Sequence, residues 1–253
     1  MLGSVSIDNS GSDALPVVFL HGFGGLAAQW QAMQMRVSYK APTYAFDLPG
    51  HGKSLDYPGF GPPKVAAKAV LAEMAELGFD RFHLVGHSMG GAVSSLIALI
   101  SPASVASLTL LAPGGYGEEF NHPFLLKWGA ASTLEELSEL LPQLFGEGYA
   151  KLDKVAAFHE EARSVPGAVD ALTSIAKAMS SDGRQGVLPV VDVLAGDYPI
   201  KVFWGTEDKI LPVSQAEKIA HMADVTILDG VGHSPAEEAR DTVLEAIFDQ
   251  IST

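Results

Sequence analysis

Cysteine is absent from the 253-residue chain. Disulfides, thiolate catalysis and cysteine-ligated metal sites are thereby excluded. Basic side chains are scarce: 16 Lys and Arg stand against 30 Asp and Glu, giving a formal charge of −14. So acidic a surface repels phosphate backbones and anionic headgroups. Neither nucleic acid nor a membrane is an expected partner; a small-molecule substrate is. Met1-Leu2-Gly3-Ser4-Val5-Ser6-Ile7-Asp8 shows no basic region followed by an apolar core, so a cytoplasmic location is expected. Between Arg81 and Glu118 no Asp, Glu, Lys or Arg occurs, and residues 92–112 are largely apolar. Pro102 and several serines interrupt that run, and it reads as the buried centre of a sheet rather than a membrane span.

What is present is an ordinary globular composition, 47% hydrophobic, enough for a large α/β domain. Its most informative stretch is Phe82-His83-Leu84-Val85-Gly86-His87-Ser88-Met89-Gly90-Gly91. A short apolar strand runs into a tight turn and then into a helix of small residues. Ser88 stands at the tip with Gly86 and Gly90 two residues to either side, the G-x-S-x-G spacing of a nucleophile elbow. A Gly/Ser-rich turn without chemistry has the same local look, so the rest of the chain must decide.

In chain order, Val5-Ser6-Ile7 alternates as an edge strand does, and Val17-Val18-Phe19-Leu20 is a fully apolar strand ending in His21-Gly22-Phe23-Gly24-Gly25. Residues 26–37 read as a helix, and 42–46 as a strand leaving into Asp47-Leu48-Pro49-Gly50-His51-Gly52-Lys53-Ser54. Residues 64–77 form an amphipathic helix whose expected buried side is Val65, Ala69, Ala72, Ala75 and Leu77. Residues 105–111 are another strand. Such alternation predicts an α/β fold, a mostly parallel central sheet with helices on both faces. From 114 to 196 no buried strand is apparent; helices are expected over 134–145, 153–163 and 168–179. The expected organisation is therefore a core of residues 1–113 and 197–253 with a helical lid, 114–196, inserted between sheet strands. Strands return at 200–204 and 224–228, with helices at 214–222 and 236–251.

A serine hydroxyl needs a base, and the base a carboxylate to orient it. In open parallel sheets, sites form beyond the carboxyl ends of strands. Asp208 follows the 200–204 strand and His233 follows the 224–228 strand, in the order Ser, Asp, His. Each has a bland alternative, a turn residue before Leu211-Pro212 for Asp208 and a helix-capping loop residue for His233. Glu118, Glu119 and Asp229 are weaker acid candidates. The backbone N–H groups of Met89 and Phe23 are the expected oxyanion donors.

Together, His21-Gly22-Phe23-Gly24-Gly25, Asp47-Leu48-Pro49-Gly50-His51-Gly52-Lys53-Ser54, Gly86-His87-Ser88-Met89-Gly90-Gly91, Gly205-Thr206-Glu207-Asp208 and Gly232-His233 resemble the α/β-hydrolase superfamily. Within it, Ala112-Pro113-Gly114-Gly115-Tyr116-Gly117 and the following lid look most like the hydrolase-like domain of acetoin dehydrogenase acyltransferase components and related stand-alone esterases. With the first buried strand beginning near Val17, no lipoyl domain is expected. The resemblance implies Ser88 as nucleophile, Asp208 as acid, His233 as base, and the Phe23 and Met89 N–H groups as oxyanion hole.

The expected activity is hydrolysis of a small or medium, largely apolar ester through an acyl-enzyme, without cofactor or metal. Carbon–carbon bond hydrolysis, enol-lactone hydrolysis and perhydrolysis could use the same set. Trp30, Phe124, Trp128, Phe145 and Leu211 are the expected pocket residues. Two rivals compete. Gly22-x-Gly24-x-x-Ala27 with Asp47 about 20 residues on has the shape of a dinucleotide fingerprint, and a non-catalytic binding protein on the same fold is the other.

Overall fold

The computed structural model describes residues 1–252. In chain order the strands are β1 (Ser4–Ile7), β2 (Val17–Leu20), β3 (Thr43–Phe46), β4 (Phe82–His87), β5 (Val105–Leu111), β6 (Ser180–Ser181), β7 (Arg184–Gln185), β8 (Ile200–Gly205) and β9 (Asp224–Leu228). Seven of them form one sheet in the order β1-β3-β2-β4-β5-β8-β9. Only β1 runs antiparallel to its neighbour; every other pairing in that sheet is parallel.

The apolar runs explain this arrangement. All residues of β2 and β5 are buried, as strands covered on both faces must be. Period-two alternation divides them between two cores. Val18, Leu20, Leu84 and Leu108 pack into the larger one with Trp204. Val17, Phe19, Val85 and Leu111 pack into the other with Phe203.

The helices are α1 (Gln31–Val37), α2 (Pro63–Glu76), α3 (Met89–Ile100), α4 (His122–Ala130), α5 (Leu134–Leu140), α6 (Leu152–Arg163), α7 (Ala168–Ala178), α8 (Val190–Leu194), α9 (Ser214–Ile219), α10 (Pro235–Glu238) and α11 (Arg240–Ile251). α1 and α11 supply Met33, Val37, Val243 and Ile247 to one face; α2 and α3 supply Val70, Met74, Val93 and Ile97 to the other. The expected fold class is thus observed. Helices α4 to α8 and the antiparallel β6–β7 pair lie between β5 and β8 in sequence.

Several local expectations need correcting. The helix expected from residue 26 begins as a 3-10 turn at Ala27–Trp30 before α1. α4 is a helix beyond the three expected over 114–196; the Asn121 side chain caps it by accepting from the Phe124 N–H at 3.1 Å. The last helix is broken at Ala239, whose φ of −124° is not helical. The buried face of α2 is Ala66, Ala67, Ala69, Val70 and Met74, not the face through Val65, Ala72, Ala75 and Leu77. The larger side chains of Val70 and Met74, one turn apart, outcompete the alanine stripe for the core. Met74→Ala should therefore cost about 2–5 kcal/mol, whereas Leu77→Ala, at a side chain 46% exposed, should stay within about 0.5 kcal/mol. Urea unfolding of the two variants tests this.

Candidate active site

β4 ends in the elbow because three backbones meet there. A Cβ on Gly86 would lie 2.4 Å from the Gly90 carbonyl oxygen, and one on Gly90 would lie 2.2 Å from that of Leu20. Only glycine fits at either position. Ser88 itself adopts φ 51° and ψ −115°, a conformation that costs on the order of 1–3 kcal/mol for a residue with a Cβ. Its N–H donates to the Leu111 carbonyl at 2.9 Å, and its carbonyl accepts from Gly114 at 2.9 Å. The strain is thus held by β5 and the residues just after it.

The side chain so presented meets its expected partners. Ser88 Oγ lies 2.9 Å from His233 Nε2, and His233 Nδ1 lies 2.8 Å from Asp208 Oδ2. Both His233 and Asp208 side chains are buried. The second Asp208 oxygen accepts from the Ile210 and Leu211 N–H groups at 2.8 and 2.9 Å, which fixes the carboxylate facing the imidazole. Serine, histidine and aspartate thus form one hydrogen-bonded chain, the arrangement that lets an imidazole take a hydroxyl proton. Among the described residues, no hydrogen bond occupies the backbone N–H of Phe23 or of Met89. Both remain available to an incoming oxygen.

Other residues hold this set in place, and sequence reasoning missed them. His87, inside the elbow, donates from Nε2 to the His233 carbonyl at 2.7 Å. Glu238 accepts from the N–H groups of Gly146, Gly232 and Ser234, pinning the loop that carries His233. Its pKa is raised by burial, though those three donors oppose the rise. His51 Nε2 accepts from Gly24 at 3.1 Å, and His21 Nε2 from Leu48 at 2.9 Å. Position alone gave a signal for these histidines, since each sits at or just beyond a strand end, but no spacing rule assigns them partners.

Asp47 is occupied differently from the dinucleotide reading. It is buried, with one oxygen accepting from Ala27 at 2.8 Å and the other from Lys53 at 3.0 Å. Its carboxylate ties the first two loops together and is not directed at a ribose. His83 bonds to Ser107 Oγ at 2.8 Å and plays no part in the set around His233.

A cavity of about 470 Å³ opens above Ser88 and His233, within the range that holds small organic ligands. Its walls include Trp30, Phe124, Leu125, Trp128, Leu144, Phe145, Val155 and Phe158, with Lys151, Lys154 and Arg240 also present. Four of the five expected pocket residues are among them. Leu211 is not: its carbonyl accepts from Trp204 Nε1 at 3.0 Å and its N–H goes to Asp208, so Ile210 takes the place on the wall.

Residues 17–246 match the model of the alpha/beta hydrolase family. The chain is 34% identical over 233 residues to the dihydrolipoyllysine-residue acetyltransferase component of the acetoin cleaving system of Pseudomonas putida, covering 92% of this chain but only 62% of that relative's length. It is 26% identical to human monoacylglycerol lipase ABHD6, covering 94% of this chain and 75% of the relative. Among solved structures, a 2-hydroxy-6-oxo-6-phenylhexa-2,4-dienoate hydrolase from Rhodococcus sp. strain RHA1 superposes with a TM-score of 0.83 at 21% identity over the full length of both chains.

The buried histidines couple this site to pH. Burial lowers His21 to about 4 and His51, His87 and His159 each to about 3, against about 6.5 in an unfolded chain. Below pH ~6.5 the unfolded state therefore binds protons that the folded state refuses. The stability these groups contribute is complete above ~6.5 and is lost as pH falls towards their folded values, at about 1.4 kcal/mol per pH unit for each. Urea unfolding between pH 6.5 and 5, where carboxylates scarcely titrate, should show a steep fall. In His87→Gln the slope should be shallower by an amount that approaches about 1.4 kcal/mol per pH unit at the acid end of that range.

Proposed function

The chain belongs to the alpha/beta hydrolase family, and from that premise we propose that it is a serine hydrolase acting on a small or medium, largely apolar carboxylic ester. The observation that carries this reading is the hydrogen-bonded chain Ser88–His233–Asp208 at the floor of an apolar cavity.

In the proposed reaction Ser88 Oγ attacks the ester carbonyl as His233 Nε2 takes its proton. Asp208 holds the imidazole in the required tautomer and stabilises the imidazolium. Negative charge developing on the carbonyl oxygen is received by the Phe23 and Met89 N–H groups, and the dipole of α3 adds to the field. When the tetrahedral intermediate collapses, His233 gives its proton to the departing alkoxide, leaving the acyl group on Ser88. Water, deprotonated by the same imidazole, then attacks the acyl-enzyme, and Ser88 recovers its proton as the carboxylic acid leaves.

The relatives' names fit acyl chemistry of this kind, one an acetyltransferase component and one a lipase. The wall of Trp30, Phe124, Phe145 and Phe158 favours an uncharged acyl chain. A panel of 4-nitrophenyl esters of increasing chain length should give saturable hydrolysis. Ser88→Ala and His233→Ala should reduce it to background, and Asp208→Asn should lower kcat by about 10⁴. Full activity in Ser88→Ala would remove the nucleophile from this account.

A further inference from the structure

Arg163 is a buried arginine with no carboxylate partner among the described residues. It lies in the last turn of α6 and is 5% exposed. Among the described residues no acid is within ion-pair distance of it. One Nη donates to the Trp128 carbonyl at 3.1 Å and the other to the His159 carbonyl at 3.5 Å, while Nε has no acceptor. Burial lowers its pKa to about 10, so the guanidinium is charged at neutral pH. A buried cation of this kind is costly. The face of Trp128, 4.5 Å away at the ring centroid, offsets part of the cost through a cation–π contact.

What this arrangement grips is the first glycine-rich loop. Trp128 Nε1 donates to the Phe23 carbonyl at 3.4 Å. On the other side, His51 Nε2 accepts from the Gly24 N–H. The Phe23 carbonyl and the Gly24 N–H belong to one peptide unit, so that unit is held at both ends, from the sheet side by His51 and from α4 by Trp128. The fit is close. A Cβ on Gly24 would lie 2.7 Å from Trp128 Nε1 and 3.3 Å from Arg163 Nη2, and one on Gly129 would lie 3.2 Å from Phe23 Cζ. The His159 ring packs edge-on to Trp128, with centroids 4.9 Å apart.

We propose that Trp128 and Arg163 are positioning residues for the oxyanion hole. Arg163 braces Trp128, and Trp128 fixes the Phe23–Gly24 peptide so that the Phe23 N–H is aimed before substrate arrives. The inference rests on the reading of Phe23 as an oxyanion donor. On this account α4 and α6 complete the catalytic apparatus as well as covering it. The logic is that of preorganisation: a donor that needs no rearrangement at the moment of reaction stabilises the transition state selectively.

The test is a pair of variants assayed on one 4-nitrophenyl ester. Trp128→Phe keeps the aromatic surface and removes the N–H to Phe23. Arg163→Met keeps the bulk and removes the brace. Each should lower kcat about tenfold to a hundredfold, as small misplacements of reacting groups do, with KM within about twofold. Affinity for a trifluoromethyl ketone, whose adduct with Ser88 carries an oxyanion, should weaken in parallel. The proposal is overturned if kcat is unchanged in both variants, or if KM rises alone, which would make Trp128 only a wall of the cavity. Failure of both variants to fold, seen by circular dichroism, would also overturn it by making the cluster purely structural. Ser88→Ala on the same ester separates these outcomes from failure of the catalytic reading itself, because it tests the nucleophile without touching the loop.

Discussion

The constraint on which the site depends is the contact between Gly90 and the Leu20 carbonyl, with Gly86 and Gly90 back to back beside it. It brings the first turn of α3 against the end of β2. The serine at the tip must then take a left-handed conformation, and its side chain is lifted clear of the sheet. Neighbouring parallel strands carry the remaining parts to the same edge. β2 leads into the loop with Phe23, β8 into the one with Asp208, and β9 into the one with His233. No single helix or hairpin could bring together residues so distant in sequence; a parallel sheet does so through the direction of its strands.

Much of this was legible in the sequence because two different signals agreed. Unbroken apolar runs marked strands buried on both faces, and glycine, aspartate and histidine at their ends marked the edge where chemistry could gather. Ser88 and Asp208 are each brought within hydrogen-bond reach of His233, as that pattern implied. The residues that escaped notice act through contacts with backbone groups, some of them on distant segments. His87 reaches the carbonyl of His233, and Glu238 gathers N–H groups of residues 146, 232 and 234. The His87–His233 and Glu238–Gly146 contacts have no spacing rule, because each depends on how loops meet in space. The misread face of α2 has a different cause: an alanine stripe is a weak amphipathic signal, and Met74 decides the orientation by volume. Leu211 was misplaced by one residue because the turn that ties its N–H to Asp208 sends Ile210 to the cavity instead.

Three histidines join Asp47 and Glu238 among the polar groups that support the site. Neutral imidazoles can accept a backbone N–H on one side and donate on the other without carrying charge into the interior. His21 and His51 do both, and His87 donates to the His233 carbonyl. Their neutrality also keeps positive charge away from His233, whose charge must change during the proposed turnover. The sheet therefore supplies direction, the glycines supply close approach, and the histidines supply uncharged polar anchoring.

The central claim is that Ser88 forms an acyl-enzyme, and mass spectrometry of protein quenched in acid shortly after mixing with a 4-nitrophenyl ester tests it most directly. The account predicts an added mass equal to the acyl group, located on the peptide containing Ser88 and absent in Ser88→Ala. Hydrolysis that proceeds with no adduct at all, or with the adduct on another residue, would contradict it.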